Sequence, residues 1–170
     1  MMNLDLPSTL NVISTVAIVG ALIFTGLQVR EANRARRDQA AVTVIQTSLS
    51  ENSARALALL SEIPENAPAS VIENLDSETK RVVLEFGLRL EVIGYMVFRR
   101  LVDVKTVNDL AGGALLAFWS RARAWSQQRR QQTGHDEFLE WCQWLATRIA
   151  QHRATHAYKP AYLQHADWRE

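Results

Sequence analysis

Residues 10–29 read LNVISTVAIVGALIFTGLQV, twenty positions without a charge. As an α-helix this stretch spans roughly 30 Å, the thickness of a bilayer core. Asn11, Ser14, Thr15, Thr25 and Gln28 dilute its apolar character. Three of them lie near its ends, where the membrane interface tolerates them. Ser14 and Thr15 can bond back to carbonyls of their own helix. The expectation is a transmembrane helix; the competing reading is the buried first helix of a soluble bundle. A cleaved signal peptide fits poorly, because the preceding residues carry Asp5, no Lys or Arg, and no small-x-small site precedes the charges that follow.

The two flanks differ in charge. Arg30, Arg34, Arg36 and Arg37 follow the apolar run at once, opposed by Glu31 and Asp38, while residues 1–9 hold no basic residue. By the positive-inside rule residues 1–9 lie outside and the larger C-terminal part lies in the cytoplasm. Arg30, Arg34 and Arg37 share one helix face, and each can add about 1 kcal/mol near anionic headgroups. Their plainer role is to set topology. Within the span, Ala17, Ala21 and Thr25 recur every four residues, with Gly20 and Gly26 beside them, and small residues so spaced let helices approach closely.

The remainder reads as helices. The chain has 170 residues, 19 Lys+Arg against 18 Asp+Glu, and 48% apolar residues, which suits a folded domain and argues against a globally basic nucleic-acid coat. Seven Gly and four Pro leave room for long helices. The single cysteine, Cys142, permits neither an intrachain disulfide nor a cysteine zinc site. No proline falls between Pro7 and Pro64, so the first helix can run to about Glu62. Val42, Ile45, Leu49, Asn52, Ala56, Leu59 and Ile63 form a seam for a neighbouring helix. The stretch PENAPASVIENLD (64–76) breaks it, and Ser70 and Glu73 have capping-box spacing for a short turn.

A further helix is expected from about Glu78 to Leu101 behind an Asp76 or Ser77 cap, with Val83, Phe86, Leu90, Ile93, Val97 and Leu101 on one face and Gly87 and Gly94 beside it. Leu84, Leu88, Val92 and Met96 line the other side, which predicts a central position in a bundle. Arg81, Glu85, Arg89 and Glu91 speak against a second span, since each charge at bilayer depth costs roughly 2.5–3.5 kcal/mol. Asp103 can cap the next helix, which Gly112-Gly113 is expected to interrupt before it ends at Gly134. The last bundle helix is expected from Asp136 to about Arg153, burying Phe138, Cys142, Leu145 and Ile149; an exposed tail follows, with Tyr158, Tyr162 or Trp168 as anchors. The predicted architecture is thus all-α: residues 1–9 external, 10–29 transmembrane, 30–153 a cytoplasmic antiparallel bundle of about four helices, and 154–170 a tail.

Four segments carry a resemblance: QVREANRARRDQAA (28–41) after the apolar run, RLEVIGYMVFRRLVD (89–103), LLAFW (115–119) and EFLEWCQWLA (137–146). With them the chain resembles a family of small bacterial proteins catalogued as a domain of unknown function. The resemblance covers most of residues 10–150 and implies one N-terminal membrane helix and a cytoplasmic helical domain. With the apolar run and the charge asymmetry, the expected location is the bacterial inner membrane. It implies no activity and no catalytic residue.

For function, RARAWSQQRRQQ (121–132) stands out: Arg121, Arg123, Arg129 and Arg130 with Trp125 and no acid. Arg121, Trp125 and Arg129 share a face and permit cation–π contacts. The surface could meet a protein partner, anionic lipid or a nucleic acid, where aromatics stack and arginines hold phosphates; alternatively it is a solvated face with Trp125 turned inward. His152 and His156 are spaced to chelate a metal on a helix, near His165, Asp167 and Glu170, but a structural site needs three or four organised ligands, so no metal or other cofactor is expected. Gly112-Gly113 lacks the Lys-Ser/Thr of a phosphate loop. Cys142 reads as an inert buried thiol, Trp119, Trp125, Trp141 and Trp144 as core, and Glu137 and Glu140 as suited to a helix start. The expectation is a non-enzymatic, membrane-anchored binding, scaffold or accessory subunit, partnered by another membrane protein or by its own copies. The alternatives are a tethered nucleic-acid-binding module and a soluble all-helical protein.

Overall fold

The computed structural model describes residues 6–48, 51–156 and 158–169. They form seven helices and, among the described residues, no strand: α1 Leu6–Ser48, α2 Glu51–Ser61, α3 Ala69–Glu73, α4 Ser77–Phe98, α5 Val104–Thr133, α6 Glu140–Thr155 and α7 Ala161–Gln164. The chain divides into two compact units, Met1–Gln39 and Ala40–Glu170.

The first unit is helical from Leu6 onward. Within α1, Ser14–Arg36 is long and apolar enough to cross a membrane, with mean hydropathy 1.3, and none of that window is buried. Leu22, Ile23 and Phe24 are each at least 60% exposed. Thr15 and Thr25 donate their hydroxyls to the carbonyls of Asn11 and Ala21, each at 2.8 Å, which satisfies both polar groups inside the helix. Whether one helix continues to Glu62 turns on Leu49 and Ser50, which lie outside the described residues; the chain is helical on either side of them.

In the second unit α4 and α5 pack on α6, α2 packs on α4 and α5, and α3 packs on α5. The core runs through Leu60, Ile72, Val83, Phe86, Leu115, Phe118, Trp125, Leu145 and Ile149. Of the expected α2 seam, Ala56 and Ile63 are buried, whereas Val42 is exposed. Asn52 is also exposed and donates to Glu85 at 2.9 Å. The side chains of Ile45 and Leu49 lie outside the described residues. The α3 turn forms as expected, but Pro68 precedes it without a side-chain cap bond.

Asp76 caps α4 by accepting the N–H groups of Glu78 and Thr79, both at 3.0 Å. The helix stops at Phe98, three residues before the expected end. Arg100 takes a left-handed φ of 58°, and its N–H and that of Leu101 bond back to the carbonyls of Val97 and Met96. This is a Schellman closure, and it leaves Leu101 exposed rather than on the core face. The expected all-round burial of α4 is likewise corrected: Leu88 and Val92 are 48% and 58% exposed, so α4 keeps one open face.

The expected interruption at Gly112-Gly113 is absent, and α5 runs unbroken from its Asp103 cap to Gly134 at φ 71°. Gly112 is buried in mid-helix, where a Cβ would stand 2.9 Å from Arg153 Nη2 and 3.0 Å from Asn108 Oδ1. The start of α6 moves from Asp136 to Glu140. Leu139, at φ 56°, makes no cap bond with its side chain. The cap comes from another helix: Glu91 on α4 accepts the N–H groups of Trp141 at 3.1 Å and Cys142 at 2.8 Å. One turn along α4, a Cβ on Gly94 would lie 2.7 Å from the Trp141 carbonyl carbon. Together these two residues seat the α6 start directly on α4.

Candidate functional site

The arginines expected to form a partner surface on α5 are mostly engaged within the fold. Arg121 donates Nε to the Ile63 carbonyl at 2.8 Å and Nη1 to the Ala117 carbonyl at 2.9 Å, which ties the α2–α3 connection to α5. Arg130 donates to the Phe138 carbonyl at 2.8 Å and to Gln143 at 2.7 Å, which ties α5 to α6. Trp125 is buried at 2% exposure and donates its indole N–H to Glu73 at 2.9 Å. Arg129 stands 6.0 Å from the centroid of Phe138 rather than over Trp125. Arg123 is exposed and reaches Asn66 at 3.2 Å. The basic run is therefore not one open face.

Two carboxylates take opposite electrostatic settings. The bonds from Trp125 and Lys80 hold the Glu73 carboxyl below its ordinary range. Burial pushes Glu91 above it, with Glu140 adding like charge, although its two backbone N–H bonds pull the other way. Burial also pushes up the thiol of Cys142, which leaves it protonated and unreactive. His152 and His156 stack with centroids 4.3 Å apart and planes 30° apart. His156 turns Nδ1 toward the His152 carbonyl, so the pair does not converge on a common ligand. Among the described residues no group of three or more His, Cys, Asp or Glu could hold a metal.

The open surface lies elsewhere. Leu88, Val92 and Tyr95 recur at i, i+4, i+7 along α4 and form an exposed apolar stripe. Beside it, Phe98 lies 4.7 Å from Trp141 and 6.1 Å from Trp144, and Tyr95 lies 5.6 Å from Trp141. Trp141 and Trp144 are half-buried here, not core. Arg99 and Arg148 rim the cluster, stacked on Tyr95 at 5.7 Å and on Trp144 at 5.5 Å. An apolar stripe beside aromatics with arginines at the edge has the composition of a protein interface. Alternation of apolar residues made Leu88 and Val92 visible in the sequence, but periodicity does not say which side of a helix is covered.

Arg30, Arg34 and Arg36 are exposed on α1, while the side chain of Arg37 lies outside the described residues.

A helix able to span a bilayer and an all-α bundle define the class. The chain belongs to the family described as a domain of unknown function, DUF4760, whose pattern matches residues 14–149. No curated protein and no solved structure matches the chain.

Proposed function

We propose that this is a membrane-anchored, non-enzymatic binding or scaffold subunit that works through its helical bundle. The observation that carries the reading is the exposed apolar window Ser14–Arg36 of α1, whose surface only lipid or another membrane helix would cover. Arg30, Arg34, Arg36 and Arg37 follow the uncharged run and support a bundle in the cytoplasm and an N-terminus outside. In a bacterium this corresponds to the inner membrane. The stripe of Leu88, Val92 and Tyr95 supplies the docking face, for a second copy or another membrane protein.

Three measurements test the proposal. The protein should stay in the pellet after alkaline carbonate, and a reporter active only outside the cytoplasm should be silent when fused after Glu170. Crosslinking in intact membranes should give a discrete higher-mass species that Leu88→Glu with Val92→Glu abolishes. Both positions are exposed, so the pair should not unfold the bundle. Carbonate release would sink the anchor, and unchanged crosslinks in the double variant would sink the docking face.

A further inference from the structure

A cleft of about 550 Å³ lies between the first turns of α5, the last turn of α6 and the chain that follows α6. Its walls include Lys105, Asn108, His152, Arg153, Tyr158 and Lys159. The one carboxylate in the lining, Asp109, is already paired with Lys105 at 2.8 Å. The charges of Arg153 and Lys159 are left without a carboxylate partner among the described residues.

Arg153 is held with unusual care for a residue at a helix end. Its Nε donates to the side-chain oxygen of Asn108 at 2.7 Å, and Asn108 is 4% exposed. Its guanidinium carbon stands 4.1 Å from the Tyr158 ring centroid. Gly112 leaves the space that Nη2 fills. Asparagine and glycine in mid-helix are both poorer helix formers than alanine. An arginine that merely offset the dipole at the end of α6 would need neither. The result is a guanidinium held through Nε and seated against α5 through Nη2, in the lining of the same cleft as Lys159. A held guanidinium and a lysine lining one cleft suit the oxygens of a phosphate group.

We propose that this cleft binds a phosphate group, carried by a soluble phosphorylated small molecule or by a phospholipid headgroup. The cleft volume falls in the range of small-ligand sites, so the phosphate can bring a modest body with it.

The test uses the full chain in neutral detergent micelles and reads the thermal midpoint against inorganic phosphate and pyrophosphate, with ionic strength held constant by chloride. Saturable stabilisation of at least about 3 °C is expected with pyrophosphate. Lys159→Gln alters an exposed side chain, so it should keep the parent midpoint without anion and weaken binding about fivefold or more. Arg153→Lys keeps the charge but loses the held guanidinium, and should weaken binding at least about tenfold. Should that variant unfold, Lys159→Gln decides alone. In a second arm the full chain is reconstituted in neutral vesicles with and without phosphatidic acid. A response that requires Lys159 in the first arm assigns a soluble ligand, and one confined to the second assigns a headgroup. No Lys159-dependent response in either arm, or an equal response to chloride, overturns the proposal.

Discussion

Replacing Gly94 by alanine should unseat α6 from α4. On an open helix surface the change would stabilise the protein by about 1 kcal/mol, because alanine is the better helix former. At Gly94 the new methyl would meet the Trp141 carbonyl carbon at 2.7 Å, where ordinary contact begins near 3.4 Å. The obstacle is backbone, which cannot rotate aside, so the helices must part by roughly 0.7 Å at that point. A gap of that size forfeits about a quarter to a half of each local dispersion contact, and overpacking of this kind costs about 1–3 kcal/mol. The opening also stretches the two bonds from Glu91 to the α6 start, which adds about 1–2 kcal/mol. After the gain in propensity, the net loss is about 1–4 kcal/mol. At about 4 °C per kcal/mol this lowers the melting midpoint by roughly 4–16 °C. Gly113 is the internal control: it too lies within a helix, and a Cβ there meets nothing within 4 Å. Gly113→Ala should raise the midpoint by roughly 2–4 °C. Thermal circular dichroism on the two variants reads both effects. A Gly94→Ala protein as stable as its parent would refute the close approach of α4 and α6.

Arg100→Gly should stabilise by about 1 kcal/mol, since a side chain at φ 58° costs that much relative to glycine; chemical denaturation checks it, and a loss of stability would contradict the Schellman closure. Glu91→Ala should cost about 1–3 kcal/mol by leaving the N–H groups of Trp141 and Cys142 without that acceptor, whereas Glu137→Ala, which removes an exposed pair with His135, should be near neutral. Glu73 has a lowered folded-state pKa, so its contribution is present above the ordinary carboxylate range and is lost as pH falls through the lowered value. Trp125→Phe removes the leading cause of that shift and should flatten acid sensitivity in this window; an unchanged slope between the two proteins would rule the indole bond out as its source.

Local chemistry was readable before any coordinates. Asp76 and Asp103 announce helix starts and Gly134 announces an end, because a cap involves only residues a few positions apart. The apolar run at 10–29 was equally plain. The beginning of α6 was hidden, since it depends on Glu91, fifty residues upstream, and on a left-handed Leu139 that no local rule favours. The unbroken course of α5 was hidden for a related reason: Gly112 is buried beside Arg153 of α6 as well as Asn108 of its own helix. In the candidate surfaces, the spacing of Arg121, Trp125 and Arg129 suggests cation–π contact within one helix, whereas Arg129 stands by the ring of Phe138 and Trp125 turns its indole N–H to Glu73. The spacing could not show that carbonyls across the fold, at Ile63 and Phe138, would occupy the guanidinium groups of Arg121 and Arg130. The open stripe on α4 was visible as apolar spacing and misplaced as core, because hydrophobicity alone does not reveal how many neighbours a helix has.

The cap that Glu91 lends to α6 also couples the two helices. The N–H groups of Trp141 and Cys142 find their side-chain acceptor on α4, so these two bonds exist only while α4 and α6 are docked. Amide hydrogen exchange at Trp141 and Cys142 should therefore track the opening of α4 and α6 as one cooperative unit, with protection rising and falling together on both helices.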